Sequence, residues 1–417
     1  MIGLGEDGLD GLTDASRKAL QEAEIVFGGP RHLALAGVSD DRAQAWPLPF
    51  SVDPVLARRG QRVAVLASGD PFWFGVGGSL MTRLEPGEWR SFPQPSTFAL
   101  AANRLGWRLE DTHCFGLHAA PFARLRPGLG KGERLICLLR DGKAPAELAQ
   151  WLCDQGGGDS ALHVLEALGG PRERVTTGAA QGFAGSDNQT HVSGVLVSGA
   201  DASGAHASGT PVFTAPVAVA VEMARSIGLP AAPGLPDDAF VHDGQITKRP
   251  VRALTLSALA PRRGEMLWDI GAGAGSVSIE WCLAGGRAVA LEARADRVKN
   301  IATNIDSFGL SHRMQTIEGR VDAGRLPQAM AALPAPDAVF VGGGGDAALL
   351  TTLFDALLPG TRLVMNGVTL ETEMLLAAWH ARKGGSLLRI EMAEAAPLGR
   401  MRGWSPARAV VQWSVVL

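Results

Sequence analysis

Residues 265–292 run EMLWDIGAGAGSVSIEWCLAGGRAVALE, from Glu265 to Glu292. Met266–Ile270 is a short apolar run of the kind a buried parallel strand shows. Gly271, Gly273 and Gly275 let the chain turn tightly and bring its backbone against a ligand. Ser276 to Leu283 can open a helix whose first amides face that ligand. Ala288–Leu291 is the next strand, and Glu292 stands at its carboxyl end, where a ribose hydroxyl pair is gripped. A bare GxGxG is weak evidence. Acid, glycine loop, helix, strand and second acid together point to a nucleoside-bearing cofactor. Asp269, just before the glycines, favours S-adenosylmethionine over a dinucleotide.

The rest of the chain sets the frame around this unit. At 417 residues it is too long for one ordinary core, so two or three domains are expected. Apolar content of 46% with 19% charged residues describes a globular soluble protein. A net charge of −3 gives no reason to propose nucleic acid or a membrane surface as partner. Cys114, Cys137, Cys153 and Cys282 are scattered without metal spacing, so no metal site is expected and a reduced, cytoplasmic compartment fits. Met1–Leu4 is marginal in length for a strand, which suggests a start placed a few residues too late.

In the first half, strands are expected at Ile2–Leu4, Ile25–Phe27, Arg62–Ala67 and Arg134–Leu139, with helices at Thr13–Ala23, Ser96–Leu105 and Ala144–Cys153. Thr13 and the Pro95-Ser96 pair are the capping signals. Ser160–Leu165 and Val192–Val197 read as paired strands of a second layer, and Val217–Val221 as a last strand. Residues 1–223 form the first domain, 224–236 a linker stiffened by Pro230, Pro233 and Pro236, and 237–417 the second domain. In the second, Thr247 can cap a helix over Val251–Leu259. Strands follow at Met314–Glu318, Ala338–Val341, Arg362–Val364, Ser386–Glu391 and Val410–Val416. Seven strands, the last two in hairpin order, fit a Rossmann-like class I methyltransferase sheet.

Two sets of motifs narrow the reading. GLGEDGLDGLT (Gly3–Thr13), VFGGPRHL (Val26–Leu33), LASGDPFWFG (Leu66–Gly75) and PSTFALAANRLGW (Pro95–Trp107) resemble the tetrapyrrole methylase family, in its CbiE-like branch. LPDDAFVHDGQITKRPVRAL (Leu235–Leu254), WDIGAGAGSVSIEW (Trp268–Trp281), FVGGGG (Phe340–Gly345) and VMNGVTLETE (Val364–Glu373) resemble the CbiT-like methyltransferases. Their fusion in this order is similar to the CobL-type family, the decarboxylating precorrin-6Y C(5,15)-methyltransferases of cobalamin biosynthesis. The implied architecture is α/β: a tetrapyrrole methylase fold of two α/β subdomains, then a class I methyltransferase domain. The implied activity is methylation of carbon 5 by the first half. The second half would methylate carbon 15 and decarboxylate the ring-C acetate, giving precorrin-8X. Each domain would hold one S-adenosylmethionine, the substrate would be a corrinoid, and the chain would form a homo-oligomer.

The resemblance also assigns residues. Gly271, Ala272, Gly273, Ala274 and Gly275 match its cofactor loop and Glu292 its ribose acid. Thr247 lies in the ITKR turn that closes over the cofactor, and Gly319 meets the adenine edge. Gly69, Asp70 and Pro71 form the GDP turn of the first half, Ser96 and Thr97 lie near the methionine carboxylate, and Leu139 meets adenosine. From their position at strand ends, Gly342, Gly343 and Gly344 leave room for a planar macrocycle. Asn366 and Glu371 are the candidates for handling the proton, with Thr369 beside them at the substrate. Arg400 and Arg402, with Arg408, are candidate clamps for carboxylates. Against these stand plainer roles: an N-cap for Thr247 and Ser96, a solvated charge for Glu371 and the arginines, and packing for His32 and Trp73. The chain departs from the family pattern at Pro250, Arg320 and Phe74, where acids and a tyrosine are usual. Two other readings remain: a methyltransferase acting on another tetrapyrrole, or one half reduced to a corrinoid-binding module.

Overall fold

In the first half, the carboxyl ends of three strands are brought side by side. β1 (Ile2–Leu4), β2 (Ile25–Gly28), β3 (Ala43–Ala45) and β4 (Val63–Ser68) form a sheet in the order β1-β4-β2-β3. Every pair in it is parallel. A second sheet contains β5 (Thr112–Gly116), β6 (Arg134–Leu138), β7 (Ala161–Glu166), β8 (Arg174–Ala179), β9 (Leu196–Gly199) and β10 (Val217–Glu222), in the order β5-β6-β10-β7-β8-β9. Only its β5–β6 pair is parallel. Thr13 caps the helix Asp14–Gln21, and Ser96 caps Thr97–Leu105, as their sequences predict.

This computed structural model describes residues 1–184, 196–199, 213–321 and 327–417. The expected pairing of Ser160–Leu165 with Val192–Val197 is corrected by the strand between them. β8, whose sequence RVTTGA carries a weak apolar pattern, pairs with β7 on one side and β9 on the other. Residues 192–195 lie outside the described residues.

The chain divides into two units, Met1–Gly228 and Leu229–Leu417, so the division falls inside the expected linker. Both sides of it are tied down within their own units. In the N-terminal unit the Ala224 amide donates to Ser160 Oγ and the Ile227 amide to the Leu129 carbonyl. In the C-terminal unit the Leu235 amide donates to Glu280 Oε1.

The C-terminal unit is built on β11 (Met266–Ile270), β12 (Arg287–Glu292), β13 (Met314–Glu318), β14 (Ala338–Val341), β15 (Arg362–Gly367) and β16 (Ser386–Ile390). They are followed by β17 (Ala393–Leu398), β18 (Met401–Pro406) and β19 (Val410–Val416). Seven of these make one sheet in the order β13-β12-β11-β14-β15-β19-β16. The first five are parallel and β19 runs against both of its neighbours. The last two strands of the sheet are indeed antiparallel neighbours, with the β17–β18 ribbon inserted between them. Alternation along β11 sends Leu267 to one apolar cluster and Trp268 and Ile270 to the other. Burial on both faces explains why these strands read as continuous apolar runs.

One expected cap does not form. The helix here is Arg249–Leu259, starting two residues earlier than predicted, with Lys248 at its N-cap and no side-chain capping bond. Pro250 fits because it occupies the first turn, where an amide has no helical partner to lose. Thr247 instead offers its carbonyl to the Arg252 guanidinium.

Candidate active sites

In the C-terminal unit the site grows from the end of β11. Gly271, Gly273 and Gly275 adopt φ of 71°, 61° and 71°, the left-handed region that side chains disfavour. Gly342 follows β14, and a Cβ on it would lie 2.8 Å from the Gly271 carbonyl oxygen. The two glycine segments therefore meet backbone to backbone, at the carboxyl edge where open α/β sheets take ligands.

Two acids flank this cradle. Glu292 is buried and accepts from the Gly273 amide at 2.8 Å through Oε2 and from the Arg294 amide at 3.0 Å through Oε1. The Gly319 amide donates to the Glu292 carbonyl at 2.9 Å, so the structure brings these two predicted residues together. Asp269, two residues from Leu267, faces the same side as the helix Ser276–Leu283. Ser278 Oγ donates to its Oδ2 at 2.6 Å. Among the described residues its Oδ1 has no hydrogen-bond partner. Burial pushes this carboxyl up to about 7 against the opposing Ser278 hydrogen bonds, and the Glu292 charge adds to the rise.

The stretch before the helix is fastened over the loop by residues that sequence reading did not single out. Asn304, fully buried, donates from Nδ2 to the carbonyls of Val241 and Ala274 and accepts from the Val241 amide. Arg297 holds Asp243 and the Gln245 side chain. Arg252, also fully buried, donates from Nε to Glu280 at 2.6 Å and from Nη1 to Asp237 at 3.1 Å. The Gln245 carbonyl lies 3.7 Å from where a Cβ on Gly273 would stand. The turn holding Thr247 is thus anchored beside the loop by Arg252.

The remaining candidates sit along the same edge. Asn366, at the end of β15, donates to Thr255 Oγ1 at 2.9 Å and accepts from Gln412 at 3.0 Å, within a buried network. Thr369 caps the helix Leu370–Lys383 by accepting from the Thr372 amide at 3.2 Å. Glu371 is exposed in the first turn of that helix. Arg400 and Arg402 are exposed on the ribbon, where Pro397 faces Arg402. Arg402 lies on β18 and Arg400 in the tight turn that joins β17 to β18, so both belong to a two-stranded arm. Because Val411 pairs with both Gly367 and Arg389, the arm leaves β16 level with the carboxyl end of β15.

In the N-terminal unit a cavity of about 270 Å³ is lined by Gly69, Ser96, Thr97 and Leu139 among others. Gly69 turns with φ of 53°, and its own Cβ would lie 2.7 Å from the Pro95 carbonyl oxygen. Asp70 and Pro71 are not among the lining residues. The Asp70 carboxylate accepts from the Phe72 amide at 2.8 Å and so shapes the turn from behind. Ser96 Oγ accepts from the Ala99 amide at 3.2 Å. Trp73 and Phe74 wall the cavity, both against Phe98. Phe74 holds φ of 55°, a strained conformation for an aromatic residue, and the missing side chain of Gly116 makes room for its ring. Here the shape comes from main chain and rings.

Residues 1–184 match the model for tetrapyrrole (corrin/porphyrin) methylases, and residues 238–417 the model for the precorrin methyltransferase domain. A Sinorhizobium protein named precorrin-6Y C(5,15)-methyltransferase (decarboxylating) is 46% identical over 420 residues, covering 99% of this chain and 95% of the relative. A protein of the same name from Mycobacterium tuberculosis is 38% identical over 424 residues, covering 100% and 98%. The chain belongs to the precorrin-6Y C(5,15)-methyltransferase family. A solved C-terminal domain of such an enzyme from Rhodobacter capsulatus is 61% identical, covering 45% of this chain and all of that one, with a TM-score of 0.43.

The cradle of this family member fits a nucleoside cofactor on its own features. Glycines keep the loop bare, Glu292 closes the second strand, and the free oxygen of Asp269 lies buried just ahead of the loop. The glycine pattern made the loop legible, whereas Asn304 and Arg252 gave no signal beyond their place on helices.

Proposed function

We propose that this chain methylates precorrin-6Y at carbons 5 and 15 and removes carbon dioxide from the ring-C acetate, giving precorrin-8X, with one S-adenosylmethionine site in each unit. The observation that carries the proposal is the full-length likeness to relatives so named, and a glycine-shaped candidate site in each of the two units supports it. When bound, S-adenosylmethionine supplies an electrophilic methyl group. The chain's own residues have to align the partners, and good alignment is worth about 7–11 kcal/mol of the barrier.

In the C-terminal unit Glu292 is suited to accept from ribose hydroxyls, with Gly319 beside it and the loop amides of 271–275 around the remainder. The Thr247 turn, held by Arg252, covers that loop. Gly342, Gly343 and Gly344 keep side chains away from the rim where a flat macrocycle must approach. Glu371 has an exposed carboxylate at the same edge and is the proton-handling candidate, while Asn366, committed to Thr255 and Gln412, positions the strand end. Arg400 and Arg402 on the arm would meet the acetate and propionate groups. In the N-terminal unit Gly69, Ser96, Thr97 and Leu139 would hold the second cofactor. Asp70 and Pro71 would fix the turn.

The reading includes a homo-oligomer in the cytoplasm acting on a small molecule, with no nucleic-acid or membrane partner. The net charge of −3 gives no reason to invoke nucleic acid or a membrane surface, and among the described residues no helix is long and apolar enough to cross a membrane. Mass spectrometry of the product formed from precorrin-6Y by the intact chain is the test. Two added methyl groups with loss of carbon dioxide are expected; methylation without that loss would refute the decarboxylase assignment.

A further inference from the structure

The N-terminal cavity has a charged end. It forms where three parallel strands finish: Glu6 follows β1, Arg31 follows β2 and Ser68 closes β4. Glu6, Arg31, His32 and Ser68 all line the cavity. Arg31 Nη1 donates to Glu6 Oε1, and Arg172 Nη2 reaches Glu6 Oε2 at 3.2 Å. Arg31 Nη2 donates to Ser68 Oγ at 2.8 Å and lies 2.9 Å from His32 Nε2.

The charge at this end does not balance. Two guanidiniums face one carboxylate, and His32 adds no negative charge. Burial first, then the Arg31 charge, pushes His32 down to about 4, so it is neutral at pH 7. Burial, and secondarily Arg172, also holds Arg31 below the usual arginine range. The Glu6 side chain is 7% exposed, whereas that of Arg31 is 34% exposed. Glu6 is therefore the buried anchor and Arg31 the group that faces the opening. Trp73, Phe74 and Phe98 give the same cavity an aromatic lining. A surplus positive charge at one end of a cavity lined by aromatic rings suits an anionic group on a larger planar or nucleoside ligand.

We propose that Arg31 is the receptor for a ligand carboxylate in the N-terminal cavity, and that Glu6 is the residue that positions it. This rests on the function proposed for that site. The carboxylate belongs either to the rim of the macrocycle or to the amino-acid end of the cofactor; the chemistry at Arg31 is the same.

The test uses the full-length chain with Arg31→Gln, Arg31→Lys and Glu6→Gln. Calorimetry with S-adenosylhomocysteine reads cofactor affinity, and mass spectrometry reads the KM and kcat of carbon-5 methylation. If the rim supplies the carboxylate, Arg31→Gln raises the substrate KM about tenfold or more, moves kcat far less, and leaves S-adenosylhomocysteine affinity within about twofold. If the cofactor supplies it, the same variant weakens one calorimetric site by about tenfold and leaves the substrate KM alone. Arg31→Lys recovers part of either loss, because it keeps the charge without the planar fork.

Glu6→Gln is expected to narrow the preference of the enzyme for free-acid over methyl-esterified substrate, or to weaken S-adenosylhomocysteine, in the same arm that Arg31→Gln affects. A merely structural Glu6 would move neither. The double variant Glu6→Gln/Arg31→Gln leaves no unmatched buried carboxylate, and its melting curve separates folding from binding. An Arg31→Gln enzyme with both affinities within about twofold of wild type overturns the proposal. Absence of carbon-5 methylation in the wild-type chain would instead refute the function on which it rests.

Discussion

The two candidate sites lie at the carboxyl ends of parallel strands, yet they are made from different materials. The C-terminal cradle is local: one strand, one glycine turn and one helix supply most of it within Asp269–Glu292. The N-terminal cavity is convergent, with its charged end assembled from residues 6, 31, 68 and 172. The first arrangement fixes ligand geometry through backbone conformation. The second relies on an ion cluster that only the completed fold brings together. The same contrast holds for their supports: Arg252 and Glu280 are a sealed pair, while Arg31 and Arg172 share Glu6 and face outward.

That last difference predicts the largest effect. Arg252→Met would leave Glu280 buried with only backbone amides for partners, at a cost of about 3–5 kcal/mol. For a unit of this size that lowers the melting temperature by roughly 10 °C. Arg31→Gln should cost clearly less, since Glu6 keeps Arg172. Differential scanning calorimetry of the two variants checks this. Equal losses would mean that the two clusters are equally sealed, and the comparison would fail.

Glycine contacts sharpen it next. A Cβ on Gly3 would sit 1.8 Å from the Gly69 carbonyl oxygen, against 2.8 Å between Gly342 and Gly271. Both neighbours are backbone, so neither can swing aside. Gly3→Ala should displace the Gly69 turn and reduce carbon-5 methylation by about 10²-fold, as a misplacement near 1 Å can. Gly342→Ala should reduce carbon-15 methylation by less. Product analysis separates the two reactions in a single assay.

How far the sequence reveals each site follows from the same contrast. The cradle was legible because positive φ demands glycine and because strand, loop and helix follow one another without a gap. Glu6, Arg31 and Arg172 carry no such local demand; the quoted motifs contain two of them, but only strand order places them together. Asn304 reads as an ordinary helix residue until its amide is seen holding both Val241 and Ala274. The β7–β9 pairing failed for a related reason. Five of the six residues of β8 are Thr, Gly, Ala or Arg, so its pattern understated a strand that tertiary pairing secures.

A third prediction concerns pH. The folded-state value of Asp269 lies above its ordinary 3.8, so the native chain holds a proton that the unfolded chain has released. Its stabilising contribution is full below 3.8 and is lost as pH rises through about 7. Ligand-free chain should therefore lose stability across that window by a few kcal/mol from this group. Asp269→Asn should flatten the dependence and be more stable than wild type at pH 8. Denaturant titrations at pH 5 and pH 8 measure it, and an unchanged slope with pH in the variant would exclude Asp269 as the source.

The smallest effects come from two helix caps with the same chemistry. Ser96 accepts from the Ala99 amide and Thr369 from the Thr372 amide, each at 3.2 Å. Replacing either by alanine should cost about 1 kcal/mol through the freed amide. The consequences should then diverge. Ser96 lines the N-terminal cavity, so Ser96→Ala should also weaken S-adenosylhomocysteine at one calorimetric site. Thr369 is exposed, and its hydroxyl is already shared between the Thr372 amide and the Thr372 side chain, 3.0 Å away. Thr369→Ala should leave cofactor affinity unchanged and alter carbon-15 methylation only through the order of the Glu371 turn, an effect that Thr369→Ser would reverse. If Thr369→Ser fails to restore carbon-15 methylation, the threonine methyl group touches the substrate itself, and the edge beyond β15 contributes direct contacts in addition to its cap.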